Sequence, residues 1–128
     1  MRTVGETGLV ADIIGTADTE HEEHGVKCVA LRTDMDALPM EEKTGLSYSS
    51  ETSYAHMCGH DGHMAIMMAT AEFLAAKRNR IPKNKKIRLI WQPAEETLQG
   101  AKRMIEDGCL EGVDEIYAIH NMPNSFVG

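Results

Sequence analysis

Lys85-Lys86-Ile87-Arg88-Leu89-Ile90-Trp91-Gln92-Pro93-Ala94-Glu95-Glu96 reads as a β-strand that ends in a pair of carboxylates. Over residues 85–91, Ile87, Leu89 and Trp91 alternate with Lys86, Arg88 and Ile90, the period of a strand. Upstream, residues 61–77 carry Ile66, Met67, Ala69, Thr70, Phe73, Leu74 and Ala76 at helical spacing, with Asp61 or a neighbour as cap. Before that, residues 40–57 show no sustained period, and loops this long are often functional. Residues 26–33 read as a buried strand closed by Asp34-Met35-Asp36. Ala37-Leu38-Pro39 then forces an extended turn, because the residue before proline avoids the helical region. Residues 9–14 form a short strand ended by Gly15. The acidic stretch 16–25, with His21 and His24, reads as an exposed hairpin loop. Downstream, residues 97–107 predict a second helix stopped by Gly108, and residues 114–119 a strand that ends at His120. Strand, helix, strand, helix, strand predicts an α/β fold with a mostly parallel sheet.

At 128 residues the chain has the size of one domain, and its 42% hydrophobic and 26% charged composition is ordinary for a globular protein. A formal net charge of −7 argues against nucleic acid as a partner, since no basic stripe is available to neutralise phosphates. The basic run 77–86 is broken by Pro82 and reads as a solvated loop. No apolar run approaches the roughly 20 residues that span a bilayer, and residues 1–5 lack the apolar core of a secretory signal. The cysteines, Cys28, Cys58 and Cys109, are odd in number and far apart. That suits a reducing compartment, and the expectation is a cytoplasmic protein.

The chemistry gathers at Cys58-Gly59-His60-Asp61-Gly62-His63. Cys58 and His60 are two residues apart, so both reach one point if the backbone turns, and the glycines permit that turn. Glu95-Glu96 and His120 each begin where a strand-like run ends. In open α/β sheets, sites form beyond the carboxyl ends of strands, so one mouth can collect Asp34, Asp36, Glu95, Glu96 and His120. A donor set of thiol, imidazole and carboxylate suits Zn²⁺ and its neighbours better than Ca²⁺ or Mg²⁺.

Each residue also has a plainer reading. A lone Cys58 is a small buried hydrophobe, a lone His60 a hydrogen-bonded helix cap, and Glu95-Glu96 a solvated helix N-terminus favoured by the dipole. A nucleophilic Cys–His pair is a further alternative, but it leaves the acidic pair and His120 without a task. A Cys₂His₂ finger lacks a second cysteine at ligand spacing. The acidic pair offers a division of labour, one carboxylate on a metal and its neighbour free as a base. Adjacent residues leaving a strand are expected to point different ways.

Arg32-Thr33-Asp34-Met35-Asp36-Ala37-Leu38-Pro39, His56-Met57-Cys58-Gly59-His60-Asp61-Gly62-His63 and Gln92-Pro93-Ala94-Glu95-Glu96 together resemble the M20 family of metallopeptidases. They look most like its amidohydrolase branch of N-acyl-amino-acid amidohydrolases, hippurate hydrolases and auxin-conjugate hydrolases. The segment 100–108 and the strand end Ile119-His120 continue the resemblance. It implies a three-layer sandwich with a mixed, mostly parallel sheet, as in the zinc exopeptidases. It implies two divalent ions (Zn, Mn or Co) held by Cys58, His60, Glu96 and His120, with Glu95 as general acid/base. Asp34, Asp61 and His63 would support the site. The implied reaction is hydrolysis of the amide of a small N-acyl amino acid or similar conjugate.

Members of that family are longer. They carry N-terminal helices, a lid or dimerisation domain through which they form homo-oligomers, and one more histidine ligand near the C-terminus. The expectation is therefore that residues 1–128 are part of a catalytic domain, without the lid and the domain's C-terminal part. The alternative is a non-catalytic metal-binding remnant, or a partial subunit that needs a partner chain. Residues 40–57 are the candidate wall for the substrate.

Overall fold

A computed structural model describes residues 1–18 and 25–122. Five strands, β1 (Arg2–Val4), β2 (Gly8–Ile14), β3 (Cys28–Asp34), β4 (Lys86–Gln92) and β5 (Glu115–Ala118), form one sheet in the order β1-β2-β4-β3-β5. Helix α1 (His60–Ala76) precedes β4, and helix α2 (Gly100–Glu106) lies between β4 and β5. The sheet is mixed: β3 pairs in parallel with β4 and β5, while β2 pairs antiparallel with β4 and with β1.

Two features depart from the sequence reading. β1 was not anticipated, and it enlarges the antiparallel half of the sheet. Its hairpin with β2 turns through Gly5 and Glu6, both at positive φ. A Cβ on Gly5 or Gly8 would press into Met104 of α2, so the hairpin closes tightly on that helix. β2 and β3 do not pair as the hairpin expected around residues 16–25, because β4 lies between them. β4 is the most continuously buried strand and takes the centre of the sheet. Residues 19–24, including His21 and His24, lie outside the described residues.

The strand alternation of the sequence becomes two faces. Val10, Ala30 and Ile90 pack with Val4, Met104 and Cys109 on the face covered by α2. Val29, Leu31 and Ile87 face α1. The result is helix, sheet, helix in three layers. Only Met67 of the apolar positions on α1 is buried, while Ile66 and Phe73 are 56% and 63% exposed. They border an apolar groove between α1 and β3, and among the described strands β5 forms the sheet edge on that side. No helix among the described residues is long and apolar enough to cross a membrane.

Candidate metal centre

The carboxyl ends of β3, β4 and β5 lie side by side, with Asp34 opposite Gln92 and Arg32 opposite Ala118. The N-terminus of α1 meets them there. Gly59 precedes the helix at φ 89, left-handed backbone that glycine adopts without a Cβ penalty. Asp61 is not the cap; it sits in the first turn, where a carboxylate complements the helix dipole. The turn at Gly59 brings Cys58 and His60 to the same point.

His60 is fully buried. Its Nδ1–H donates to the carbonyl of Asp36 at 2.9 Å, which leaves a lone pair on Nε2. That Nε2 is buried and has no hydrogen-bond partner among the described residues. Three carboxylate oxygens stand around it: Glu95 Oε2 and Glu96 Oε1 at 3.8 Å each, and Asp34 Oδ2 at 3.9 Å. His120 repeats the pattern. Its Nδ1–H donates to the carbonyl of Asn121 at 2.7 Å. Its Nε2 lies 3.7 Å from Cys58 Sγ and 3.9 Å from Asp34 Oδ2.

A ring of carboxylates and lone pairs repels itself unless a cation or protons enter it. The spacing suits a cation. Donors about 2.0–2.3 Å from a tetrahedral ion lie roughly 3.3–3.8 Å from one another. Two overlapping groups qualify, Cys58, His60 and Glu96, and Asp34, His60, His63 and His120, each with its donor atoms within 4.8 Å of one another.

His63 is within ligand reach, but both of its nitrogens are occupied. Nδ1–H donates to Asp34 Oδ1 at 2.7 Å, and Nε2 accepts the Asn121 N–H at 3.1 Å. Asp34 also accepts from Arg32 Nη1 at 2.9 Å. Burial alone pushes the Asp34 carboxyl up, but the hydrogen bond from His63 and the charges of His60 and Arg32 outweigh it and hold it below its ordinary value. Burial pushes the Cys58 thiol up, and the carboxylates of Glu96, Glu95 and Asp34 push it further. That opposes the nucleophilic Cys–His reading, which needs a thiolate without a metal to stabilise it.

The acidic pair differs from expectation, because both carboxylates face His60. Ala94 and Leu98 have φ of 51° and 57°, so the chain after β4 folds into a compact loop before α2 begins at Gly100. A Cβ on Gly100 would collide with the Pro93 carbonyl. Left-handed backbone at a residue bearing a Cβ costs about 1–2 kcal/mol. Asp61 does not join the cluster. It is exposed and lines a surface pocket with His56, Tyr48 and Tyr54, because on a helix it is rotated away from the face that His60 and His63 share. Asp36 stands at this mouth as the sequence suggests, its carbonyl on His60 and its carboxylate on the Glu96 N–H, whereas Arg32 and Asn121 hold site residues but are not singled out by the sequence reading. Arg32 was detectable as the same-face neighbour of Asp34 two residues along a strand.

Comparison with known proteins agrees with this arrangement. Residues 30–128 match the model of peptidase family M20/M25/M40. The chain is 45% identical over 127 residues to an N-acetyl-L-cysteine deacetylase of Bacillus subtilis, covering 98% of this chain and 28% of that protein. It is 43% identical to the hippurate hydrolase of Campylobacter jejuni, over 94% of this chain and 29% of that one. The crystal structure of the Bacillus subtilis YXEP protein, a dinuclear metal binding peptidase from the M20 family, superposes with a TM-score of 0.81 at 38% identity, over 93% of this chain and 31% of that one. The chain thus spans 28–31% of the length of these three relatives. By its motifs, its fold and this match, the chain belongs to peptidase family M20/M25/M40.

Proposed function

We propose that these residues form most of the metal centre of a hydrolase that cleaves the amide bond of small N-acyl amino acids or similar conjugates. The observation that carries this reading is the buried, unpartnered Nε2 of His60 among three carboxylates. Cys58, His60, Glu96 and His120 would hold two divalent ions (Zn, Mn or Co): the convergent donors support a metal, and the dinuclear M20 relative supports two ions rather than one. Divalent ions at such a centre polarise the scissile carbonyl and lower the pKa of water. Glu95, partly exposed beside the cluster, serves as general acid/base, taking a proton from the attacking water and returning it to the departing amine. Asp34 and His63 support the site: Asp34 fixes the imidazole of His63, and the Asp36 carbonyl holds His60 in the tautomer that presents Nε2. The names of the deacetylase and hippurate hydrolase relatives support the substrate class. The free cysteines support a cytoplasmic setting.

Substituting the paired acids separately tests the roles. In the whole protein, Glu95→Gln keeps its metal and loses turnover, and Glu96→Gln loses both. Equal metal loss in the two variants would show the roles to be misassigned. A second reading, a partial subunit or metal-binding remnant, is favoured by the exposure of His120 and the open groove beside α1. Residues 1–128 are then one part of a catalytic domain, and the chain alone turns over N-acetyl or N-benzoyl amino acids poorly.

A further inference from the structure

His120 lies beyond the last residue of β5, so the sheet ladder does not fix it; the last paired residue is Ala118, opposite Arg32. Its placement comes through Asn121. The Asn121 carbonyl accepts the His120 Nδ1–H, and the Asn121 N–H donates to His63 Nε2. His63 in turn is held by Asp34, which is fully buried and accepts from Arg32. Because Asp34 requires a proton on His63 Nδ1, His63 Nε2 is left as an acceptor, and the Asn121 N–H occupies it. The rings of His63 and His120 stand 4.7 Å apart. The Asn121 side chain closes on Gly59, where an added Cβ would meet its Oδ1 at 2.9 Å. The loop carrying His120 is thus tied to the same turn that carries Cys58 and His60.

We propose that His63 is not a metal ligand but the positioning residue for His120, acting through the Asn121 main chain; this rests on the metal-centre reading above. Two substitutions divide its hydrogen bonds. Asn places an amide N–H near Nδ1, keeping the bond to Asp34 and losing the acceptor for Asn121. Gln places an amide oxygen near Nε2, keeping the acceptor and losing the direct bond to Asp34.

The test is a Co²⁺ titration followed by absorption, together with exchange of the Asn121 amide hydrogen in the ion-free chain. The chains compared are wild type, His63→Asn, His63→Gln and His120→Ala. His63→Asn should bind Co²⁺ about 10–100-fold more weakly, the usual cost of losing a group that orients a ligand. It should give the spectrum of His120→Ala and exchange the Asn121 amide faster. His63→Gln should keep the wild-type spectrum and a protected amide. Equal weakening in His63→Asn and His63→Gln would overturn the positioning role, since general damage from losing the imidazole appears in both. A His63→Asn chain with the wild-type spectrum would also overturn it. A wild type that binds no Co²⁺ would overturn the metal-centre reading, and this inference with it.

Discussion

Arg88, in the middle of β4, and His60, at the start of α1, are both buried polar side chains, 6% and 0% exposed. Arg88 Nε and Nη2 donate to both carboxylate oxygens of Asp12, its partner across the β2–β4 pair, at 2.7 and 2.8 Å. Its Nη1 donates to the carbonyls of Cys109 and Glu111 at 2.9 and 3.0 Å. That cluster is closed: opposite charges meet in a bidentate fork, and the guanidinium is satisfied by its own fold. The His60 cluster is open. It sets three carboxylates around an imidazole lone pair and leaves the charge unbalanced. Buried polar groups are normally satisfied within the fold, so one that is not, among convergent donors, marks a place prepared for something else. The same contrast separates His63 from His60, which share a helix face but differ in whether their last nitrogen is occupied.

The largest expected effect is catalytic and belongs to the open cluster alone. In the whole protein, Glu95→Gln lowers turnover about 10²–10⁴-fold, the usual worth of a general base, with melting unchanged. A turnover within tenfold of wild type would remove Glu95 from the chemistry. Next comes stability, where the order reverses. Arg88→Met leaves Asp12 with only Lys86 Nζ at 3.6 Å and frees the Cys109 and Glu111 carbonyls, and costs about 2–3 kcal/mol. His60→Leu removes an Nε2 that the ion-free fold never satisfied, together with the single Nδ1–H bond to the Asp36 carbonyl, and costs about 1 kcal/mol without metal. Denaturant unfolding of the ion-free chains measures both. A loss at His60 as large as that at Arg88 would mean that the two clusters are alike.

Acid should weaken both clusters. The Arg88 hydrogen bond to Asp12, opposed by burial, holds the Asp12 carboxyl below its ordinary value of 3.8, as His63 and the neighbouring charges do for Asp34. A carboxyl lowered by folding contributes stability that is complete above its unfolded value and is lost as pH falls through its folded value. Stability should therefore decline below about pH 4, and less steeply in Asp12→Asn. An unchanged slope in that variant would contradict the assignment. The smallest effect is at Asp61. Asp61→Asn should change stability by no more than about 0.5 kcal/mol and leave metal binding as in wild type; a lost ion there would bring Asp61 back into the site.

Much of this was legible in the sequence. The strands at β3, β4 and β5 and the helix α1 follow from local period, and Cys58, His60, Glu95, Glu96 and His120 stand at their ends, where parallel strands deliver side chains to a common mouth. What the sequence hid was long-range. Nothing local to residues 86–92 says that they part β2 from β3, and three residues at the N-terminus are too short to show a strand period. The helix expected from residue 97 starts later because Ala94 and Leu98 adopt left-handed backbone, a choice imposed by the tight return of the loop. That same return turned both carboxylates of the acidic pair toward His60. The link from His63 to Asn121 crosses 58 positions and runs through a main-chain N–H, which carries no residue signature.

Metal content of the purified chain, measured beside Cys58→Ala, tests the central claim most directly. Burial and the neighbouring carboxylates push the Cys58 thiol up, and a cysteine binds an ion as thiolate, so binding there releases a proton and weakens in acid. The account predicts at least about one Zn²⁺, Mn²⁺ or Co²⁺ per wild-type chain at neutral pH, proton release on binding, and loss of that ion in Cys58→Ala. Equal metal content in the two chains would contradict it.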